Sequence, residues 1–258
     1  MRKFGILVAL TTATAVVGIT PAVAQTTPEV TAFCDAALTT DKAAEKALAE
    51  KPKQKDIQAF EASLTQIEST APPEVAANVQ AAAAEARTAI QSRTDPFEDP
   101  SFEQNINALD QYRYSSCGYT QLDVTGIEYE FQGLPKTLPA GRAAIRFTDN
   151  GTEFHELAIF RVKGKDSVKK VVGMSEKEQA KKIEEIGGTF ATQGQTSYAI
   201  ADMSKPGRYG VVCFLPVGST SDQAAEEAAK KHAKEHWQQG MLATITVEAG
   251  ATATTAAG

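Results

Sequence analysis

The sequence predicts a two-domain α+β protein, in which a helical bundle precedes a β-sandwich or β-barrel. Residues 28–116 are rich in Ala, Glu, Lys and Gln, which favour helices. From Leu122 onward, short segments alternate apolar and polar residues, which is the period of a half-buried strand. We therefore expect a helical bundle domain over residues 25–118 and a β domain over residues 119–249.

The first 24 residues have the features of a secretory signal peptide. Arg2 and Lys3 give a basic start, an apolar stretch follows over residues 5–19, and Ala22-Val23-Ala24 resembles a cleavage site. We expect cleavage after Ala24 and a protein that is secreted or held in the cell envelope. A retained N-terminal anchor is the alternative. No later segment has the roughly 18 continuous apolar residues that a spanning helix needs, so we expect no stable membrane span.

Composition argues against several classes of function. The chain has 26 Lys and Arg against 32 Asp and Glu, a net charge of -6, whereas nucleic-acid binding requires a basic face. It contains neither a G-x-S-x-G motif nor a P-loop, and all three histidines, His155, His232 and His236, lie in the β domain. We therefore expect a monomer that is not an enzyme and does not bind nucleic acid.

Four helices are predicted in the first domain, over residues 29–51 and 53–69, after Pro72-Pro73, and over residues 101–115. Proline is favoured in the first turn of a helix, and a DPFEDP linker precedes the fourth. Apolar residues recur at helical spacing in the first, second and fourth: Val30, Phe33, Ala37, Leu38; Ile57, Phe60, Leu64, Ile67; Phe102, Ile106, Leu109 and either Tyr112 or Arg113. These stripes predict the core of the bundle.

The chain has three cysteines, which is informative for an exported protein because exposed thiols pair in oxidising compartments. Cys34 lies in the first predicted helix and Cys117 follows the fourth, so a disulfide between them would join the two ends of the bundle. Closure of such a loop is worth roughly 4 kcal/mol. Two buried free thiols are the alternative. The disulfide would leave Cys213 unpaired, and such a cysteine is reactive, intermolecular, buried or bound to a ligand.

The β domain contains at least six strand-like segments, separated by the turns DNG and KPG. The segments are LDVTGIEYEF, AAIRFT, HELAIFRV, QTSYAIAD, GRYGVVCFL and LATITV. Two charged insertions, residues 166–186 and 221–235, have the pattern of amphipathic helices with Ser or Asp at the cap position. The closing residues 250–258 are expected to be a disordered tail.

Four residues at strand ends could form a metal site. His155 opens one strand, Cys213 ends another, and His236 and Met241 flank the start of the last. Strand ends can converge at one rim of a sandwich, where sites commonly form. A thiolate, two imidazoles and a weak thioether suit both oxidation states of copper.

The order His, then Cys, then His-x4-Met resembles the cupredoxin family, which includes plastocyanin and azurin. Three segments carry the resemblance: FTDNGTEFHELAIF, PGRYGVVCF and HWQQGMLATITV. Over residues 120–250 it implies a Greek-key β-sandwich, here with two helical insertions. It also implies one type 1 copper ion held by His155, Cys213, His236 and Met241. The expected function is electron transfer with a redox partner protein, or copper handling, in the cell envelope.

The preceding helical region and its CGY junction also resemble exported actinobacterial proteins with an N-terminal helical domain. Two features depart from the family. In plastocyanins the second histidine follows the cysteine in a tight loop, whereas here an insertion separates them, and Glu156 stands where the family usually has Asn. In the family that Asn ties the ligand loops together, so the tie is either lost or replaced.

Several alternatives remain for the site. His232 could replace His236 as a ligand, because the two residues are four apart. Glu153 and Glu156 flank His155 and could bring carboxylates that suit zinc better than Cu(I). The longer loop instead favours a metal-free cupredoxin-like binding module of the cell envelope.

Overall fold

The structure, a computed structural model, describes residues 26–49 and 51–249. Four helices come first: α1 (Pro28–Ala47), α2 (Gln54–Thr70), α3 (Ala76–Ser92) and α4 (Pro100–Ser116). The predicted signal peptide, residues 1–24, and the predicted tail, residues 250–258, lie outside the described residues. In the part of the chain that the structure describes, no helix combines the length and the apolar character needed to cross a bilayer.

Side-chain caps and prolines set where the helices begin. Thr27 accepts a hydrogen bond from the backbone N–H of Val30, and Asp99 accepts one from Ser101. Each cap is followed directly by proline, which is suited to the first turn because it has no N–H to satisfy. The first helix ends at Ala47, short of the predicted residue 51.

A cation, Arg113, is buried in the bundle core. The Arg113 side chain is 3 % exposed and forms ion pairs with Asp41 of α1 at 2.7 Å and with Asp110 at 2.8 Å. A buried charge requires such partners, because desolvation is costly. The sequence left open whether Tyr112 or Arg113 completes the apolar stripe of α4. The structure buries Arg113 and leaves Tyr112 partly exposed.

The predicted disulfide between Cys34 and Cys117 is confirmed, with a Cα–Cα distance of 5.9 Å. Both cysteines belong to a core cluster that includes Phe33, Val79 and Leu109. The disulfide connects α1 to the end of α4 and so closes the bundle just before the first strand begins.

Two sheets form the second half of the molecule. Their strands are β1 (Thr120–Ile127), β2 (Glu130–Gln132), β3 (Thr137–Pro139), β4 (Gly141–Asp149), β5 (His155–Val162), β6 (Ile183–Ala191), β7 (Thr196–Met203), β8 (Gly207–Val212) and β9 (Leu242–Glu248). One sheet has the order β2-β1-β4-β7 and the other β3-β9-β8-β5-β6. The chain crosses from the first sheet to the second at β3 and returns at β4. It crosses again for β5 and β6, returns at β7 and finishes in the second sheet with β8 and β9, which is a Greek-key path. The prediction of a helical region followed by a β-sandwich with helical insertions is therefore confirmed.

The core of the sandwich lies between the two sheets and follows the two-residue period of the strands. It includes Leu122 and Val124 of β1, Ile145 and Phe147 of β4, Leu157 and Ile159 of β5, Tyr209 and Val211 of β8, and Ile245 and Val247 of β9. The opposite faces of β5 and β8 are also buried, because α5 (Val168–Val172) packs on Phe160, Val162 and Val212. Strands β5 and β8 are thus covered on both sides.

Two local predictions were wrong, and one short strand was missed. The segment LDVTGIEYEF is not one strand but the antiparallel pair β1 and β2. The insertion 166–186 forms α5 and α6 (Glu176–Lys182), but its last residues begin β6, which pairs with β5. The short strand β3 was not predicted. Both β3 and β6 lie at edges of their sheet, where one side of a strand faces solvent, so their apolar patterns are weak.

The helical region packs on the four-stranded sheet through α4. The ring of Tyr114 contacts that of Tyr198 edge-on at 5.6 Å, and the amide oxygen of Asn107 accepts a hydrogen bond from the Tyr198 N–H at 3.0 Å. The Tyr114 hydroxyl donates to Asp123 at 2.7 Å. The opposite sheet, which contains β5, β8 and β9, carries the candidate site at its strand ends.

Removing the disulfide should destabilise the protein substantially. The bond closes a loop with a sequence separation of 83 residues, so we expect the Cys34→Ser/Cys117→Ser variant to lose about 4 kcal/mol of unfolding free energy. Urea denaturation would measure this loss. Reductant should reproduce it in the parent protein and leave the double variant unchanged. Equal unfolding free energies of the parent protein and the double variant without reductant would contradict the prediction.

Candidate metal centre

The four residues of the predicted site lie at one end of the five-stranded sheet. His155 is the first residue of β5, and Cys213 directly follows β8. His236 is the first residue of α8 (His236–Gln239), and Met241 directly precedes β9. All four side chains are fully buried. The structure therefore brings three distant segments of the chain into one enclosed cluster.

Main-chain hydrogen bonds hold the cysteine, the second histidine and the methionine together. The Cys213 N–H donates to the Met241 carbonyl at 3.2 Å, and the Met241 N–H donates to the His236 carbonyl at 3.1 Å. The His236 N–H donates to the Leu215 carbonyl at 2.8 Å, and the Trp237 N–H donates to the Cys213 carbonyl at 3.1 Å. The backbone near these side chains is therefore fixed independently of a metal.

The potential ligand atoms face one another. His155 Nδ1 lies 3.2 Å from His236 Nδ1, and Cys213 Sγ lies 3.3 Å from His236 Nδ1. One ligand atom from each of these three residues lies within 4.8 Å of the others. A metal ion held tetrahedrally by two nitrogens and a thiolate separates the nitrogens by about 3.3 Å and nitrogen from sulfur by about 3.6 Å. The three donors therefore fit a single metal ion.

Burial determines the protonation of the metal-free cluster. Burial, together with the neighbouring His236, lowers the pKa of His155 to about 4, so the His155 imidazole is neutral at neutral pH. Burial raises the pKa of the Cys213 thiol to about 12, although hydrogen bonds from the backbone N–H groups of Glu156 and Leu215 act to lower it. A metal ion would therefore have to displace the thiol proton, because the bound ligand is the thiolate.

Glu156, at the position where the cupredoxin resemblance leads us to expect Asn, ties together the segments that carry His155 and Cys213. Its carboxylate accepts a hydrogen bond from the Phe214 N–H at 3.3 Å, and its own N–H donates to Cys213 Sγ at 3.3 Å. Both bonds connect the start of β5 to the residues just after β8. Burial raises the pKa of Glu156. The sequence left open whether the tie is lost or replaced, and in the structure it is replaced.

The two imidazoles have different surroundings. His236 Nε2 lies 3.0 Å from Glu153 Oε2, and the ring of Tyr129 packs against the His236 ring with centroids 4.9 Å apart. Burial raises the pKa of Glu153, but hydrogen bonds from the Gly218 N–H, the Tyr129 hydroxyl and His236 outweigh it and lower the pKa overall. Glu153 is therefore ionised at neutral pH.

His155 Nε2 is buried and has no hydrogen-bond partner among the described residues. The nearest carboxylate oxygens belong to Asp149 at 3.8 Å and to Glu128 at 3.9 Å. A Cβ atom on Gly151 would lie 2.6 Å from His155 Nε2, so this close approach requires glycine. The sequence showed Gly151 only as part of a DNG turn and gave no signal for Glu128 or Tyr129.

Two alternatives from the sequence lie outside the cluster. His232 is exposed, with a positive φ of 53°, and is absent from the group of facing ligand atoms. The Glu153 and Glu156 carboxylates contact His236 and the Phe214 backbone respectively, and neither belongs to that group. Of the three histidines, the structure thus brings His155 and His236 to Cys213.

No protein-family model matches the chain, and no curated protein is significantly similar to it in sequence. Auracyanin from the photosynthetic bacterium Roseiflexus castenholzii is 20% identical, with 50% of this chain and 97% of that chain covered and a TM-score of 0.33. Auracyanin A, a blue copper protein from Chloroflexus aurantiacus, is 16% identical, with 50% and 98% covered and a TM-score of 0.31. The multicopper oxidase McoA from Aquifex aeolicus is 17% identical, with 51% and 30% covered and a TM-score of 0.29. These likenesses concern the fold alone.

Titration of thiols tests both the disulfide and the burial of Cys213. The native metal-free protein should react slowly or not at all with a thiol reagent, because Cys213 is fully buried and burial raises its pKa to about 12. Unfolding without reductant should expose one thiol per chain, and Cys213→Ser should expose none. More than one reactive thiol in the unfolded parent protein would show that Cys34 and Cys117 are not paired.

Proposed function

We propose that this protein is exported and binds one copper ion at a type 1 site. His155 and His236 would bind through Nδ1, Cys213 as the thiolate and Met241 as a weak axial thioether. The proposal rests on one observation above all: two imidazole nitrogens and a cysteine sulfur lie within 4.8 Å of one another in a fully buried cluster.

The chemistry of the donors favours copper over harder cations. Thiolate and thioether sulfur are soft ligands and suit Cu(I), whereas carboxylates and water suit Mg²⁺, Ca²⁺ or Mn²⁺. Two carboxylates beside the cluster, those of Glu153 and Glu156, already accept hydrogen bonds from His236 and Phe214. Two imidazoles with one thiolate and a long axial thioether are the ligand set of blue-copper electron-transfer sites.

The protein supplies a dry and pre-formed environment for this chemistry. Bound copper would supply one-electron transfer between Cu(I) and Cu(II). The chain holds His155, Cys213 and His236 within reach of a common point and excludes water from all three. We infer a role in electron transfer or copper handling in the cell envelope, with a redox partner protein and without catalysis by this chain.

Copper should give the protein an intense visible colour. Addition of Cu(II) to the purified mature protein should produce a thiolate-to-copper charge-transfer band that is absent from Cys213→Ser. Copper at 100 times its Kd should also stabilise the native state by about 2.7 kcal/mol, because it binds the folded protein selectively. A colourless protein whose Tm does not change with copper would instead support the metal-free binding module.

Two histidine variants make a matched comparison for this test. His236→Asn removes a buried imidazole of the cluster and should abolish the band. His232→Asn removes the exposed imidazole four residues earlier and should leave the band unchanged, since Asn tolerates the positive φ of that position. Loss of the band in His232→Asn but not in His236→Asn would show that His232, rather than His236, is the ligand.

Replacement of the axial thioether should change the potential more than the fold. Met241→Leu conserves volume in a fully buried position and should cost about 1 kcal/mol or less in unfolding free energy. Because the thioether donates weakly to Cu(II), its loss should raise the reduction potential measured by voltammetry and preserve the charge-transfer band. A potential identical to that of the parent protein would show that Met241 does not bind the metal.

A further inference from the structure

Glu153 lies outside the proposed ligand set but contacts both ends of the insertion that separates Cys213 from His236. Its Oε2 atom lies 3.0 Å from His236 Nε2 and accepts hydrogen bonds from the Gly218 N–H at 2.5 Å and the Ser219 N–H at 3.1 Å. Its Oε1 atom accepts a hydrogen bond from the Tyr129 hydroxyl at 2.8 Å. One carboxylate thus connects the β1–β2 turn, the start of the insertion and the second histidine.

These contacts also determine which nitrogen of His236 carries the proton. Gly218, Ser219 and Tyr129 all donate to Glu153, so its two oxygens act as acceptors. A carboxylate with acceptor oxygens requires a donor at His236 Nε2. In the neutral imidazole the lone pair then lies on Nδ1, the atom that faces Cys213 Sγ at 3.3 Å and His155 Nδ1 at 3.2 Å.

The insertion needs such an anchor because little else in it is buried. No residue of α7 (Asp222–Lys230) is buried, so this helix contributes little packing energy. The base of the insertion is closed by a bridge between Pro216 and Glu235 and by a hydrogen bond from the Val217 N–H to the Lys234 carbonyl at 2.8 Å. Glu153, which is 12 % exposed, binds next to this closure from the β5 side.

We propose that Glu153 is a positioning residue that fixes the orientation and tautomer of His236 and anchors the inserted loop, in place of the tight loop typical of plastocyanins. Its hold on the loop is a property of the metal-free protein. Its effect on copper rests on the function proposed above. Carboxylates that orient a ligating histidine typically contribute 10- to 100-fold to metal affinity.

Three variants, with a fourth as a substitute, separate this role from general loss of structure. Glu153→Ala removes every acceptor. In Glu153→Gln the amide oxygen can still accept from His236, Gly218 and Ser219, while the amide nitrogen donates to the Tyr129 oxygen. Glu130→Ala removes an exposed acidic residue of β2 and serves as the control. If Glu153→Ala fails to fold, Glu153→Asp takes the place of that variant in every measurement. The Asp substitution shortens the side chain but keeps its charge.

The first measurement uses the metal-free protein and NMR. In the parent protein and in Glu153→Gln, the His236 ring should show a single tautomer protonated at Nε2, and the Gly218 and Ser219 amides should exchange slowly. Glu153→Ala should show mixed tautomers and exchange at least tenfold faster at both amides, with Glu130→Ala unchanged. Unchanged tautomer and exchange in Glu153→Ala would overturn the proposal.

The second measurement is copper affinity by competition with a chelator, together with the visible spectrum. Glu153→Ala should bind copper 10- to 100-fold more weakly and with a shifted charge-transfer band, whereas Glu153→Gln should recover affinity and spectrum. Equal copper affinities and spectra in all variants would overturn the proposed effect of Glu153 on copper binding. If the parent protein binds no copper while the NMR differences appear, the proposed function fails but the anchoring role of Glu153 stands.

Discussion

Beyond the last residue pair of β8 and β9, one more hydrogen bond joins the two chain segments, and the site depends on this bond. The last pair of the ladder is Val212 with Leu242, and the next hydrogen bond joins the Cys213 N–H to the Met241 carbonyl. Because neighbouring residues in a ladder keep a fixed register, the sulfur-containing residues are carried to the same end of the sheet. The adjacent strand β5, which pairs with β8, brings His155 to that end.

Acidic side chains surround this cluster. Glu128, Asp149, Glu153 and Glu156 all lie next to the cluster or its backbone. Their pKa values differ: burial raises the pKa of Asp149 to about 6. Desolvation opposes ionisation of Glu128, but backbone N–H donors of Glu153 and Thr152 outweigh it and lower the pKa of Glu128 to about 2. Negative charge near a buried cluster of neutral donors favours occupation by a cation. This agrees with a metal-binding role.

Much of the architecture could be predicted because its signals are local. The apolar alternation of β4, β5 and β8 reflects burial in the sandwich core, and the odd cysteine at 213 reflects the pairing of the other two. The four candidate residues were found from their order, and the structure places them in one buried cluster. Edge strands such as β6 escaped prediction because solvent on one side removes the need for a regular apolar pattern.

The contacts around the site could not be predicted for a different physical reason. Glu153 and His236 are 83 positions apart, and their hydrogen bond depends on how β5 and the insertion meet in three dimensions. The sequence therefore suggested Glu153 only as a carboxylate near His155. Likewise, the bond between Glu156 and the Phe214 backbone follows from sheet pairing rather than from any motif. The division into domains at residues 118 and 119 stays a prediction.

The complete burial of the His236 ring has a kinetic consequence. For the ion of the proposed site, a ring with no exposed surface leaves no direct route to its nitrogen, so loading and release would require the covering segment to open transiently. The rate of ion exchange would then follow the free energy of that local opening rather than the strength of the bonds to the ion. A chain built in this way would retain its ion for long periods even against competitors of comparable affinity.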